Sequence, residues 1–445
     1  MQSFLQLVAH DLYAKIGNDL SRTALIFPNK RANLFFNEYL AGESDQPIWS
    51  PAAMSISDLF QKLSVQKSGD PIRLVCDLYK VFKEETQSQE TLDDFYFWGE
   101  LLISDFDDVD KNMVDADKLF SNLQDLKNLM DDYEFLDKEQ EEAIQQFFQN
   151  FSIERRTELK EKFISLWDKL GTIYHHYREN LTELGIAYEG MLYRNVIEQL
   201  DTDQLKYDKY IFVGFNVLNK VENEFFRKLK DAGKALFYWD YDIFYTQQIR
   251  KHEAGEFLKR NLGEFPNELP ESFFDIFKEP KKIRYISAST ENAQARFLPE
   301  WIKMITDNHS QIAEEKEKEN AVVLCNEALL LPVLHSIPQE VKNVNITMGF
   351  PLAQTPIYSF INAAMELQTN CYRSDTGRFT YEAVSAILKH PYTRQISSHA
   401  GPLERELTKT NRFYPLPSEL KQDDFLATLF TPRNGIKELC DYLIE

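Results

Sequence analysis

Tyr207–Asp242, YDKYIFVGFNVLNKVENEFFRKLKDAGKALFYWDYD, decides how the rest of the chain is read. Tyr210-Ile211-Phe212-Val213 is a short apolar, β-prone run ending at Gly214, the pattern of a strand covered on both faces. Asn219 followed three residues later by Glu222 resembles a capping box with Asn in place of Ser or Thr. Val221, Phe225 and Leu229 then recur at four-residue spacing and make one apolar helix face, while Lys228, Lys230 and Gly233 supply a positive end and a stop. Ala235–Trp239 is a second apolar strand, closed by Asp240-Tyr241-Asp242. Strand, helix and strand in that length predict a βαβ unit with its two strands parallel in a covered sheet. Ligands of such sheets lie at the carboxyl ends of the strands, here Gly214-Phe215-Asn216 and Asp240-Tyr241-Asp242. The first of these triplets carries no catalytic chemistry.

Working outward, residues 3–16 place Phe4, Leu5, Val8, Leu12 and Ile16 on one helix face, and Thr23–Phe27 reads as a buried strand. Pro28-Asn29 stops that strand, and Lys30-Arg31 leads into a helix through Leu34, Phe35 and Leu40. A strand-to-helix turn bearing Asn, Lys and Arg can hold an anion through helix amides and charge together. The same residues also fit a solvated turn that only caps the helix. From about 44 to 205 the pattern is helical, with Ser57 as a cap before Asp58, Pro71 opening a helix, and an aromatic-rich face at Phe95, Trp98, Leu101 and Leu102. The segment 154–184 continues it with Phe163, Leu166, Trp167, Leu170, Ile173 and Tyr174. Asp105–Phe120, DFDDVDKNMVDADKLF, is dense in carboxylates but lacks the ligand order, glycine and terminal glutamate of an EF-hand, so it reads as a solvated acidic helix face or a helix-start cluster. His175 and His176 are adjacent and point in different directions on a helix, which rules them out as a chelating pair.

The three prolines of 262–282 mark a domain boundary. Beyond it, Ile283–Ala288, Ala321–Cys325 and Val344–Met348 read as strands alternating with helices that start near Thr290 and pass through Leu329–Leu334; a charged loop, Ala313–Asn320, precedes the middle one. After Pro356 the pattern is helical again. The expected architecture is α/β: a first lobe at 1–270 carrying a helical insertion at about 44–205, and a second lobe at 271–445 entering another insertion at about 356–445. The closing DYLIE carries no boundary signal, so continuation of the chain is expected.

A chain of 445 residues with 43% hydrophobic and 13% aromatic residues can bury large cores, and 15 glycines and 17 prolines favour long helices over tight hairpins. Against 50 basic residues stand 71 acidic ones, a formal net charge of -21. That balance opposes indiscriminate nucleic-acid binding by the whole surface, though not a local basic groove. Four scattered cysteines without a C-x-x-C point to reduced thiols in a cytosolic protein rather than to a disulfide frame or a zinc site. No apolar run approaches about 18 residues, and the N-terminus lacks a basic region before an apolar stretch. A soluble cytoplasmic protein without membrane contact is predicted.

Two α/β lobes with helical insertions are the plan of a motor ATPase, whose phosphate loop G-x-x-x-x-G-K-[ST] holds the nucleotide. That string occurs nowhere in the chain. The carboxylate expected at the end of a metal-binding strand is also missing, since Val213 is followed by Gly214-Phe215. Nucleotide hydrolysis by these residues is therefore not expected.

Ile26–Leu40 (IFPNKRANLFFNEYL), Phe95–Phe120, Tyr210–Leu229, Ala321–Pro338 (AVVLCNEALLLPVLHSIP) and Val344–Pro356 (VNITMGFPLAQTP) together resemble the N-terminal portion of Bacteroidetes-type PD-(D/E)XK nuclease family proteins. These are similar to AddB, the nuclease subunit of a bacterial double-strand-break repair complex with an inactivated superfamily I helicase core. The resemblance implies two RecA-like lobes of P-loop NTPase type. Ile26–Arg31 would correspond to the first single-strand-contacting motif, with Gly214 and Phe215 where active helicases carry Asp-Glu. Trp239–Ile243 would stand for G-D-x-x-Q, keeping Asp240 and replacing Gln by Ile243. The implied function is a catalytically degenerate DNA-binding module in recombinational repair, taking single-stranded DNA and a helicase partner of AddA type. Magnesium belongs only to a C-terminal nuclease portion carrying D…E-x-K, which is not found in these residues, and no cofactor is expected here. Candidate DNA contacts are Asn29, Lys30 and Arg31 on the first lobe and Lys281, Lys282, Arg284, Thr290 and Gln294 on the second. Two other readings remain open: an active helicase or nuclease with divergent site residues, and a protein–protein scaffold that touches no nucleic acid.

Overall fold

Helix α1 (Phe4–Ile16) opens the chain, capped by the Ser3 hydroxyl, and β1 (Thr23–Phe27), α2 (Ala32–Ala41), β2 (Ala52–Ser55) and α3 (Ile56–Leu63) follow. A helical stretch then runs through β3 (Lys67–Ser68), α4 (Pro71–Thr86), α5 (Leu92–Lys111), α6 (Leu170–Glu183), β4 (Ile186–Ala187) and α7 (Glu189–Gln199). It returns to β5 (Lys209–Val213), α8 (Lys220–Asp231), β6 (Ala235–Tyr238), α9 (Ile243–Thr246) and α10 (Glu253–Glu264). The computed structural model describes residues 2–120, 169–247, 253–305 and 320–444. The chain divides into two units, Met1–Lys282 and Ile283–Glu445. Of the sequence expectations, Phe163, Leu166 and Trp167 and most of the charged loop at 313–320 lie outside the described residues.

The first unit is mixed α/β, built on a four-stranded sheet of order β2-β1-β5-β6 in which every pairing is parallel. Ala24 pairs with Tyr210 and Tyr210 with Ala235, so the βαβ unit predicted for Tyr207–Asp242 is present and lies directly beside β1. Asn219 caps α8 with Glu222 in a complete capping box, and Val221, Phe225, Phe226 and Leu229 are buried. Alternation along the strands divides the core in two. Leu25, Phe27, Ile211, Val213 and Tyr238 pack with α1 and α2, whereas Ala24, Ile26, Tyr210, Phe212 and Phe237 pack with α3, α7 and α8. Helices thus cover both faces, which is why the strand runs are continuously apolar.

Several local expectations are corrected. The helical reading of 44–205 missed β2, because Ala52-Ala53-Met54-Ser55 has weak β propensity and becomes a strand only by pairing with β1. Ser55, not Ser57, caps α3: its hydroxyl and the Asp58 carboxylate form a reciprocal box, and Ser57 instead donates to Glu189 at 3.1 Å. On α5 the buried face runs through Phe95, Gly99, Phe106, Val109 and Asp110, leaving Trp98 and Leu101 exposed.

The acidic stretch is not simply solvated either. Asp110 is completely buried. Its carboxylate accepts from the hydroxyls of Tyr174 (2.6 Å) and Tyr188 (2.5 Å) and from the guanidiniums of Arg178 and, at 3.3 Å, Arg194. Burial and the adjacent carboxylate push both tyrosine hydroxyls well above their ordinary value. One turn earlier Asp107 accepts from the Gly190 N–H at 2.5 Å, where α7 begins so close to α5 that an added Cβ would lie 2.4 Å from the Asp107 carbonyl oxygen. Only glycine fits there. His175 and His176 engage Asp117 and Glu85 separately and do not chelate together.

In the second unit, Glu291–Arg296 (α11), Leu298–Ile305 (α12) and Leu330–Ser336 (α13) surround a small apolar cluster of Ala295, Leu298 and Val333. The three runs predicted as strands there form no ladder among the described residues and stand largely in solvent, Tyr285 being 93% and Val323 85% exposed. A strand needs neighbours to take its N–H and C=O groups, and β propensity alone supplies none. The rest is helical: α14 (Pro356–Thr369), a short antiparallel pair β7 (Tyr372–Arg373) and β8 (Arg378–Phe379), α15 (Tyr381–Lys389), α16 (Pro391–Ile396), α17 (Ala400–Lys409), α18 (Pro417–Leu420), α19 (Asp424–Leu429) and α20 (Ile436–Ile444). Leu367, Phe379, Val384, Leu388, Leu420, Leu426 and Phe430 form their core.

Candidate functional site

From β1 the chain moves to β2 on one side, and from β5 to β6 on the other, so the order reverses between β1 and β5. In open parallel sheets the crevice outside the carboxyl ends at such a point is where ligands bind. Here it is framed by Pro28-Asn29-Lys30-Arg31 after β1 and Gly214-Phe215-Asn216 after β5.

The first frame is a helix-start turn. The Asn29 side chain accepts from the backbone N–H of Arg31 (3.1 Å) and Ala32 (3.3 Å), which fixes the entry to α2. Lys30 leans across to Asp58, 2.9 Å away, and its ammonium together with the Ser55 hydroxyl holds the Asp58 carboxyl below its ordinary value. The Arg31 guanidinium has no partner among the described residues. One helical turn on, Leu34 (69% exposed) and Phe35 (41%) present apolar surface. The three candidates therefore divide: Asn29 caps, Lys30 is paired, and Arg31 is the open cation.

The second frame is sewn shut. Gly214 sits at φ 73°, a left-handed conformation that L side chains rarely adopt, and its N–H closes onto the Tyr238 carbonyl at 2.9 Å. That turn drops Phe215 into the core, where it packs against Phe212 and Phe226. The Asn216 carbonyl accepts from the Asn261 amide at 2.6 Å. After β6, Asn267 brackets Trp239, accepting from its N–H and donating to its carbonyl. Asp242 accepts from three backbone N–H groups, those of Phe244, Ile276 and Phe277, and against the desolvation of its site they hold its carboxyl low. Asp240 has no partner among the described residues; it is exposed by area but crowded by the sheet end, and desolvation pushes its carboxyl up. Asn261, Asn267 and Asp58 were not legible as site residues, since only α10, the segment that follows it and α3 bring them to the strand ends.

The remaining candidates stand on other elements. Lys281 and Lys282 close the first unit, Lys281 donating to the carbonyls of Phe277 and Glu279 and lying 4.6 Å from the Phe277 ring centroid. Arg284, Thr290 and Gln294 belong to the second unit. Arg284 meets the Met304 sulfur at 3.1 Å, and Thr290 caps α11 through Ala293, with Gln294 one turn along. A cavity of about 680 Å³ lies away from the strand ends, against α4 and α6, lined by charges such as Asp77 and Lys80 that pair with each other at 2.7 Å.

No protein-family model and no curated protein matches this chain. Among the described residues no three His, Cys, Asp or Glu side chains converge to hold a metal ion, and no helix is long and apolar enough to cross a membrane.

Proposed function

We propose that this chain is a non-hydrolysing, helicase-like module that binds single-stranded DNA at the β1 end of the first unit's sheet and serves a recombination nuclease of AddB type. The first unit is read as a degenerate RecA-like lobe, and the resemblance of 283–445 makes it the counterpart of the second lobe, with a helicase of AddA type as partner. The observation that carries the reading is the strand order itself. A doubly covered parallel sheet reverses its strand order at β1 and β5; Arg31, without a partner among the described residues, follows β1, exposed Phe35 stands one turn on in α2, and the chain has no phosphate loop. Cation plus aromatic face is the chemistry of sequence-tolerant single-strand binding. Phe215 buried in place of a carboxylate supports a binding role over a hydrolytic one. With a net charge of -21, binding is weak and strongly salt-dependent.

The test is a salt titration of a fluorescent oligonucleotide with the full chain and with Arg31→Ala. Weaker binding with a flatter salt slope supports the reading. Unchanged binding reduces the turn to a helix cap, and absence of any strand binding by the parent at low salt favours a scaffold role.

A further inference from the structure

The second unit holds a cavity of about 270 Å³ at the junction of α16 and α17, lined by Arg394, Ser397, Ser398, Gly401, Glu404 and Arg405. Its electrostatics are unusual for so acidic a chain. Two guanidiniums face one small space, and Arg405 has no partner among the described residues. Arg394 uses only its Nε, at 3.4 Å from the Leu388 carbonyl, leaving its two terminal nitrogens unused. The carboxylate of the lining is already engaged. Glu404 lies 3.2 Å from the Lys389 ammonium and receives the Thr408 hydroxyl at 3.2 Å. Against the desolvation of burial, those groups and the nearby Arg394 charge hold its carboxyl below its ordinary value. Ser397 is fixed by donating to Asp423, while the Ser398 hydroxyl is free among the described residues.

We infer that this cavity binds a phosphate group of a nucleic-acid strand, held by Arg394, Arg405 and the Ser398 hydroxyl. Glu404 offsets part of the Arg394 charge, Arg405 is left without a partner among the described residues, and the planar fork of each guanidinium matches phosphate oxygens two at a time. The volume falls just below the roughly 300–1,000 Å³ of sites that enclose a whole small molecule. Its cationic residues, Arg394 and Arg405, are exposed, so the cavity suits a phosphodiester passing over it better than an engulfed nucleotide. The assignment rests on the proposed single-strand function and places a second point of attachment on this chain, independent of Arg31.

The experiment uses the full chain, with Arg394→Gln/Arg405→Gln and, separately, Ser398→Ala. Both changes are at exposed positions, and helical circular dichroism checks that the fold is kept. Three probes are titrated: a labelled single-stranded oligonucleotide across a salt series, inorganic phosphate followed by NMR of the arginine side chains, and a phosphoserine peptide. The expected result is roughly tenfold weaker strand binding by the double arginine variant, with a salt slope flatter by about 0.7 for each phosphate no longer neutralised, and a smaller loss for Ser398→Ala. Strand binding that the double variant leaves unchanged overturns the inference while leaving the Arg31 reading intact. Arginine-dependent binding of phosphate or of the phosphopeptide, without strand binding by the parent, overturns the nucleic-acid assignment and the proposed function together. Strand binding sensitive to Arg31→Ala, with no phosphate response at Arg394 or Arg405, overturns this site alone.

Discussion

Phe215 meets Phe226 edge-on, with ring centroids 5.3 Å apart and planes at 89°. The residue two places past the end of β5 is thereby a wedge between strand and helix, at a position where the proposed helicase-like reading would look for a carboxylate. Phe215→Ala should cost about 3–5 kcal/mol, read as a lower denaturation midpoint for the first unit. Phe215→Glu should destabilise further, because the charge would be buried without a partner, and it should restore no nucleotide hydrolysis. A DNA-stimulated ATPase in either the parent or this variant contradicts a non-hydrolytic sheet end.

Asp110 joins α5 to α6 and α7 through two tyrosines and two arginines. Removing one member strands the others' charge, so Asp110→Ala should cost about 3–5 kcal/mol, whereas a simultaneous apolar replacement of Asp110 and Arg178 should cost less than the sum of the single changes. A double-mutant cycle by urea denaturation measures the difference. Additive costs would mean that the carboxylate and the guanidinium do not act on each other.

Burial pushes the Tyr442 hydroxyl up to about 12 from an ordinary 10.0. The folded value lies above the unfolded one, so the stability this tyrosine contributes is complete below pH 10 and falls away as pH rises toward 12. A difference of that size corresponds to on the order of 2–3 kcal/mol. Stability measured from about pH 9 to about pH 12 should decline less steeply for Tyr442→Phe than for the parent; parallel curves would show that the hydroxyl titrates alike in both states.

Asp242 is the anchor of the segment after α10, since Ile276 and Phe277 hang from it by their N–H groups at 2.9 and 2.8 Å. Asp242→Ala should cost about 1.5–3 kcal/mol and release amide protection at Ile276 and Phe277 first in hydrogen exchange. Asp240→Ala, which breaks no contact among the described residues and removes a desolvated carboxylate, should leave that protection unchanged and should not lower stability at neutral pH.

At the β1 turn the structure distinguishes two neighbours that look alike in the sequence. Lys30 already neutralises Asp58, so Lys30→Ala both removes a cation and exposes a carboxylate; Arg31→Ala removes a free cation only. Arg31→Ala should flatten the single-strand salt slope by about 0.7. Asp58→Asn, which frees Lys30, should strengthen binding. A weaker Asp58→Asn complex would place the strand elsewhere.

Strand β5, helix α8 and strand β6 were legible because each signal there is local: a continuous apolar run, a capping box three residues wide, and a four-residue apolar period. Those properties are set by backbone sterics and side-chain spacing over a few residues. Once both strands are apolar throughout, a parallel covered sheet is nearly the only way to bury them. Other features depend on partners distant in the chain. Ala52–Ser55 is a strand only because β1 lies beside it, while Ile283–Ala288, with stronger β residues, is none among the described residues because nothing pairs with it. Asp110 looked like one carboxylate among many until Arg178, Arg194, Tyr174 and Tyr188 converged on it from two other helices. The site divides the same way. The sequence by itself determined that the β1 turn carries Asn29, Lys30 and Arg31 and that no phosphate loop exists, since these are contiguous strings. Only the tertiary structure decided that Lys30 is paired while Arg31 is open, and that Phe215 turns inward. Pairing and burial are set by groups on other elements, Asp58 on α3 for Lys30 and Phe226 on α8 for Phe215, whose positions no local pattern records.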